Sequence, residues 1–135
     1  MRNLYDAIRY SNYDVVRAGF IKESKHGVDR VLSASMESIT WFHGKVYRVA
    51  YLRENNIRFP VGLYTEEDAF FNLVAWNCTE NRGELNEILY IWRDYKNSLT
   101  RKMSDVDFFK RSYLNYIKSQ ILAMKKIYDI THSVK

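Results

Sequence analysis

Three consecutive acids, Glu66, Glu67 and Asp68, stand directly ahead of Ala69-Phe70-Phe71 in the stretch GLYTEEDAFFN, residues 62–72. A carboxylate in the first turn of a helix can be held by the free backbone N–H groups there and can project into a cleft, where it could remove a proton. Such a base must come within about 2.6 to 3.2 Å of that proton, and it contributes roughly 10² to 10⁴ in rate. The competing explanation is purely structural. Acids in a first turn oppose the helix dipole at about 0.3 to 1 kcal/mol each, and Thr65 is placed to act as N-cap. Taken by themselves, the acids fit the structural explanation better, so their neighbours must decide.

Other residue types capable of chemistry are sparse. His26, His43 and His132 are scattered among loops and the tail, without the spacing of a zinc site, and Cys78 is the single cysteine. An internal disulfide and a thiolate metal centre are therefore excluded, and no metal ligand set is expected. Asp105-Val106-Asp107 looks like a metal-binding pair, but it follows Ser104 at a helix start, where capping and the dipole account for it. Asn77-Cys78-Thr79 is a chance glycan-acceptor match at a helix end.

The elements that must carry these groups are legible from periodicity. RNLYDAIRYSN predicts a short helix with Leu4 and Ile8 on one side, and YDVVRAGFIKE predicts a strand ending in the loop SKHG. DRVLSAS reads as a weaker second strand. A turn at Gly44 precedes a helix through VYRVAYLRENN, which Pro60 is expected to end. EEDAFFNLVAWNC predicts an amphipathic helix, ELNEILYIWRDY a strand, and SDVDFFKRSYLNYIKSQILAMKKIYDI a long final helix. The last is expected to pack through an apolar line of Val106, Phe109, Tyr113, Ile117, Ile121, Met124 and Tyr128.

Composition sets outer bounds. A chain of 135 residues, 47% hydrophobic, suits one globular unit. No apolar run approaches the roughly 18 residues of a membrane helix, and Met1 opens no secretory pattern, so the expected location is cytoplasmic. The net charge of +5 is local: residues 1–100 hold 13 bases and 13 acids, while residues 101–135 hold 8 bases and 3 acids. Lys110, Arg111, Lys118, Lys125 and Lys126 are read as a solvated basic face. Nucleic acid is therefore an unlikely partner, and a membrane surface met through the last helix stays open.

Three blocks, YDAIRYSNYDVVRAGF, WFHGKVYRVAYLRENNIRFPVGLYTEEDAFFN and LYIWRDYKNSLTR, resemble in that order the second half of family 2 glycosyltransferases of the GT-A fold, over residues 3–101. The resemblance implies an α+β chain: a partial GT-A-like fold with a short mixed sheet, flanking helices and a long C-terminal amphipathic helix. Residues 1–103 would be an acceptor-side half-domain, with the basic helix of residues 104–135 packed on it. It also implies an inverting, nucleotide-sugar-dependent sugar transferase, in which Glu67 and Asp68 align with the family's acidic pair and Asp68 is the base. Glu66 is left as solvated surface. Trp41 and Lys45 fall near the acceptor or the donor phosphates. Arg93, Ser98 and Thr100 match the segment beside the pyrophosphate, where an arginine can fork two hydrogen bonds to phosphate oxygens. Tyr95 replaces a basic residue of that segment. Trp41 remains equally readable as core.

The family's nucleotide-binding half, which ends in a metal-holding Asp-x-Asp, has no counterpart in these residues. The resemblance therefore implies that the chain alone binds no cofactor and is inactive alone. A divalent metal, Mg or Mn, together with the nucleotide sugar and glycan acceptor, would enter only with a complete donor-binding half. Strands deprived of that half should leave an open sheet edge, which implies a homo-oligomer, a partner chain or a rearranged sheet. The alternative from another class is a non-catalytic binding or structural module derived from such an enzyme.

Overall fold

A single strand organises the sheet. In the computed structural model, which describes residues 4–34, 39–93 and 106–133, β1 (Val15–Ser24) is buried from Val15 to Phe20 without alternation, as expected for a strand covered on both faces. The elements follow the order α1 (Leu4–Tyr10), β1, β2 (Gly27–Leu32), β3 (Lys45–Tyr47), α2 (Val49–Glu54), α3 (Glu67–Asn77), β4 (Arg82–Arg93) and α4 (Val106–Thr131). The class is α+β, with a mixed four-stranded sheet, flanking helices and a long C-terminal helix.

One edge of β1 is shared. β2 pairs antiparallel with residues 20–24, and β3 pairs antiparallel with residues 15–17. Along the other edge β4 runs parallel, from Val15 opposite Arg82 to Glu23 opposite Arg93, with register shifts around Gly19. Among the described strands β2, β3 and β4 each pair only with β1, so the far side of β4 is one unpaired edge of the kind the resemblance implied.

Close contacts explain several sequence choices. Gly44 has φ +63°, and a Cβ there would lie 2.6 Å from the Ala18 carbonyl oxygen; the Ala18 N–H in turn donates to the Gly44 carbonyl at 2.8 Å. Arg48 ties the first elements together. Its guanidinium donates to the carbonyls of Tyr13 at 3.0 Å and Ile8 at 3.2 Å and lies 3.5 Å from the Asp14 carboxylate.

The core lies between β1 and the helices, where Val15, Tyr51, Ile57, Phe70, Phe71, Val74, Ala75, Trp76 and Ala123 form one cluster. α3 is its centre. It buries Ala69 to Asn72 and Val74 to Trp76, a wider arc than the amphipathic pattern predicts. Trp76 is flanked by two guanidiniums, Arg17 at 4.5 Å and Arg82 at 5.5 Å from its ring, and Arg17 is also paired with Glu84 of the neighbouring strand.

Besides β3 at Lys45–Tyr47, which stands where the helix was expected to follow Gly44 directly and delays α2 to Val49, three local expectations need correction. Asn55 and Asn56 end α2, not Pro60: Asn56 turns left-handed at φ +47°, the Ile57 N–H donates back to the Leu52 carbonyl at 2.8 Å, and the Asn55 side chain holds the Tyr51 carbonyl at 3.0 Å. Thr65 does not cap α3. Glu66 occupies that position with φ +67° and no side-chain cap bond, while the Thr65 hydroxyl accepts from Asn115 of α4 at 3.2 Å.

The third correction concerns α4, which packs through a face other than the predicted one. Ser119 and Ala123 are its buried residues, and Leu122, Ile127 and Ile130 pack on the core. The line from Val106 to Tyr128 is turned away, with Phe109, Tyr113, Ile121, Met124 and Tyr128 each more than 60% exposed.

Candidate functional site

The first turn of α3 meets the loop that leads into β3. Asn72, 1% exposed and one turn beyond Asp68, joins them: its amide donates to the Thr40 carbonyl at 3.1 Å and to the Asp68 carbonyl at 2.7 Å, and its oxygen accepts from the Tyr47 hydroxyl. A buried amide with all these partners fixes both segments, because breaking any of the bonds leaves a desolvated polar group. Two segments singled out in the sequence, residues 41–45 and 66–68, are thus anchored through one side chain.

The acids divide unequally. Asp68 is half-buried, and its Oδ1 accepts the Ala69 N–H at 2.8 Å, so the carboxylate is oriented by its own helix. Glu67 opens the helix, also half-buried. Glu66 was expected to be solvated surface but is half-buried as well, and it lines a cleft of about 450 Å³ with Phe109, Ser112, Tyr113 and Tyr116 of α4. Desolvation, reinforced by the charges of Asp68 and then Glu67, pushes its carboxyl above the usual range. Asp68 does not line that cleft.

Trp41 lies 37% exposed and edge-on to Phe20, with ring centroids 5.8 Å apart. Next to it His43 stacks against Trp92 at 4.8 Å and Tyr90 at 5.5 Å, so the loop's aromatic residues close over the β1 and β4 side chains. Burial, and secondarily the Lys45 charge, pull the His43 imidazole below its ordinary value. The Lys45 ammonium donates to the Trp41 carbonyl, which closes the loop. Arg93 ends β4 with its guanidinium 2.9 Å from the Glu23 carboxylate, committed to a neighbouring strand. Ser98 and Thr100 lie outside the described residues, as does Tyr95.

No protein-family model, curated protein or solved structure matches this chain. The resemblance of the three blocks therefore stands on those residues alone.

Among the described residues no group of three or more His, Cys, Asp or Glu side chains is arranged to hold a metal ion. No helix among them is long and apolar enough to cross a membrane.

Sequence reasoning missed Asn72, Tyr47, His43 and Glu66. Asn72 carried a readable signal, a polar residue one helical turn after Asp68 on an otherwise apolar helix face. Glu66 carried none, because its cleft is made by a helix some 40 residues downstream.

Proposed function

We propose that this chain is the acceptor-side half of a nucleotide-sugar-dependent inverting sugar transferase, inactive alone, in which Asp68 is the general base for the acceptor hydroxyl. The observation that carries this reading is the Asn72 anchor, which holds the first turn of α3 against the Trp41–Lys45 loop. These are the same stretches that supply the most specific part of the family resemblance. Asp68 would take the acceptor proton, with the Ala69 N–H steadying the carboxylate, and Glu67 would add negative charge beside it. Trp41 offers a partly exposed ring on which a sugar face can stack. Lys45 and Arg93 serve the loop and the sheet through the bonds described above, so phosphate binding by either requires those bonds to exchange. The donor-side chemistry, including any Mg or Mn, belongs to a partner chain carrying the nucleotide-binding half.

The test reconstitutes the chain with a candidate donor-binding partner and follows sugar transfer. Asp68→Asn should lower turnover by about 10² to 10⁴ while leaving partner and acceptor binding intact. Transfer or hydrolysis of a nucleotide sugar by the isolated chain would overturn the half-enzyme reading, and unchanged turnover in Asp68→Asn would remove the base.

One observation favours a second reading, a non-catalytic binding module derived from such an enzyme. The Asp68 carboxylate turns to its own helix, while the cleft at this end of α3 takes Glu66. A partner or glycan retained in full by both Asp68→Asn and Glu67→Gln, with no turnover in any combination, selects it.

A further inference from the structure

The outward face of α4 carries a row of large apolar side chains. Phe109, Tyr113, Ile117, Ile121, Met124 and Tyr128 are all exposed, and they form a stripe in which Val106 lies at one end. At 1.5 Å per residue the stripe runs about 33 Å along the helix. Its residues recur every three or four positions and so keep to one side of the α-helix along its length. A contiguous exposed apolar patch of this length marks an interaction surface.

Charge identifies the partner. At 100° per residue, Arg111, Lys118 and Lys125 fall on one flank of the stripe, with Asp107 and Asp129 at the two ends of that same flank, and Lys110 lies within the stripe itself. The basic excess of the whole chain resides in this terminal segment. Pairing two copies antiparallel about a two-fold axis through Lys118 would set Lys118 on Lys118, Arg111 on Lys125 and Asp107 on Asp129, like charge on like. An anionic sheet of lipid headgroups meets both features at once. Apolar and aromatic side chains enter the headgroup boundary, and lysines extend their alkyl stems along it toward the phosphates.

We infer that α4 docks this protein on an anionic membrane surface, lying in the interface with the Phe109–Tyr128 stripe inward and Lys118 and Lys125 on the headgroups. The inference does not depend on the transferase reading. It does place the Glu66 cleft, walled by Phe109, Tyr113 and Tyr116, at the edge of the docked face.

The full chain is pelleted with vesicles of phosphatidylcholine alone and of phosphatidylcholine mixed with phosphatidylglycerol, across a salt series. Binding should be strong only to the anionic vesicles and should fall as salt rises. Ile117→Asp with Ile121→Asp should abolish it while the circular dichroism spectrum stays that of the folded chain, since neither side chain belongs to the buried core. Lys118→Glu and Lys125→Glu should each weaken it by roughly five-fold or more. Absence of binding to anionic vesicles overturns the proposal, as does binding indifferent to the isoleucine variants. A lipid-free dimer in sedimentation velocity that dissociates on Ile117→Asp, with no vesicle binding, overturns it in favour of a second copy on this face.

Discussion

The side-chain amide of Asn72 donates to the backbone carbonyl of Thr40 at 3.1 Å, across 32 residues of sequence. That bond and the Tyr47 hydroxyl on the other end of the same amide lock the start of α3 to the loop before β3. Asn72→Leu is close in volume but leaves the Tyr47 hydroxyl and the Thr40 carbonyl without this partner in the interior. A loss of about 1 to 3 kcal/mol is expected, read as a lower urea midpoint at unchanged slope.

Gly44 sits in the left-handed region with the Ala18 carbonyl 2.6 Å from where a Cβ would stand. Gly44→Ala should cost at least about 1 to 3 kcal/mol, because backbone strain is joined by a collision that no side chain can relieve. Gly27→Ala is the control. Its φ of +107° is equally unsuited to alanine, yet nothing lies within 4 Å of the added methyl, so its loss should be the smaller of the two. Thermal midpoints of the two variants check the ordering.

Glu66 has its carboxyl raised in the folded state by burial and by the charges of Asp68 and Glu67. The native chain therefore holds this proton to higher pH than the unfolded chain, and stability falls as pH rises from the ordinary value of 4.5 through the folded one. Glu66→Gln should raise the thermal midpoint at neutral pH and flatten this part of the stability profile. No gain at pH 7 would mean that the cleft does not desolvate the carboxyl.

His43 shifts the opposite way. Its imidazole is kept neutral by burial against Tyr90 and Trp92 and by the nearby Lys45, so the unfolded state binds the proton more readily. Stability should be full above the ordinary value of 6.5 and decline as pH falls through the lowered one. His43→Phe should preserve the ring stack and remove this decline, as followed by chemical denaturation at a series of pH values.

Ser119 is fully buried against the core, and its hydroxyl has no hydrogen-bond partner among the described residues. Ser119→Ala should stabilise the chain by roughly 0.5 to 2 kcal/mol, through better helix propensity and removal of an unsatisfied polar atom. Ser119→Leu should be strongly destabilising, because a branched side chain cannot fit where α4 approaches the core, and the pair of denaturation curves checks both signs.

Residue order alone determined most element types. β1 and β4 were legible as β-branched and aromatic runs, α2 and α4 as helical repeats, and the acidic start of α3 as three carboxyl groups ahead of an apolar run, because each signal is contained within a few neighbouring residues. An unpaired sheet edge was expected from the resemblance to a fold whose other strands are absent here, and β4 leaves one among the described strands.

Tertiary structure decided which faces meet. α4 carries bulky apolar residues around much of its circumference, so periodicity pointed to its most hydrophobic line. The packed side is instead the one where Ser119 and Ala123 are small enough to let the helix approach α3, and the bulkier line is left outside. The same approach half-buries Glu66 against α4, and the packing of α3 on the loop before β3 makes Asn72 the link between segments 32 residues apart. Distance between elements is a property of their fit in three dimensions, and no local pattern of residues encodes it.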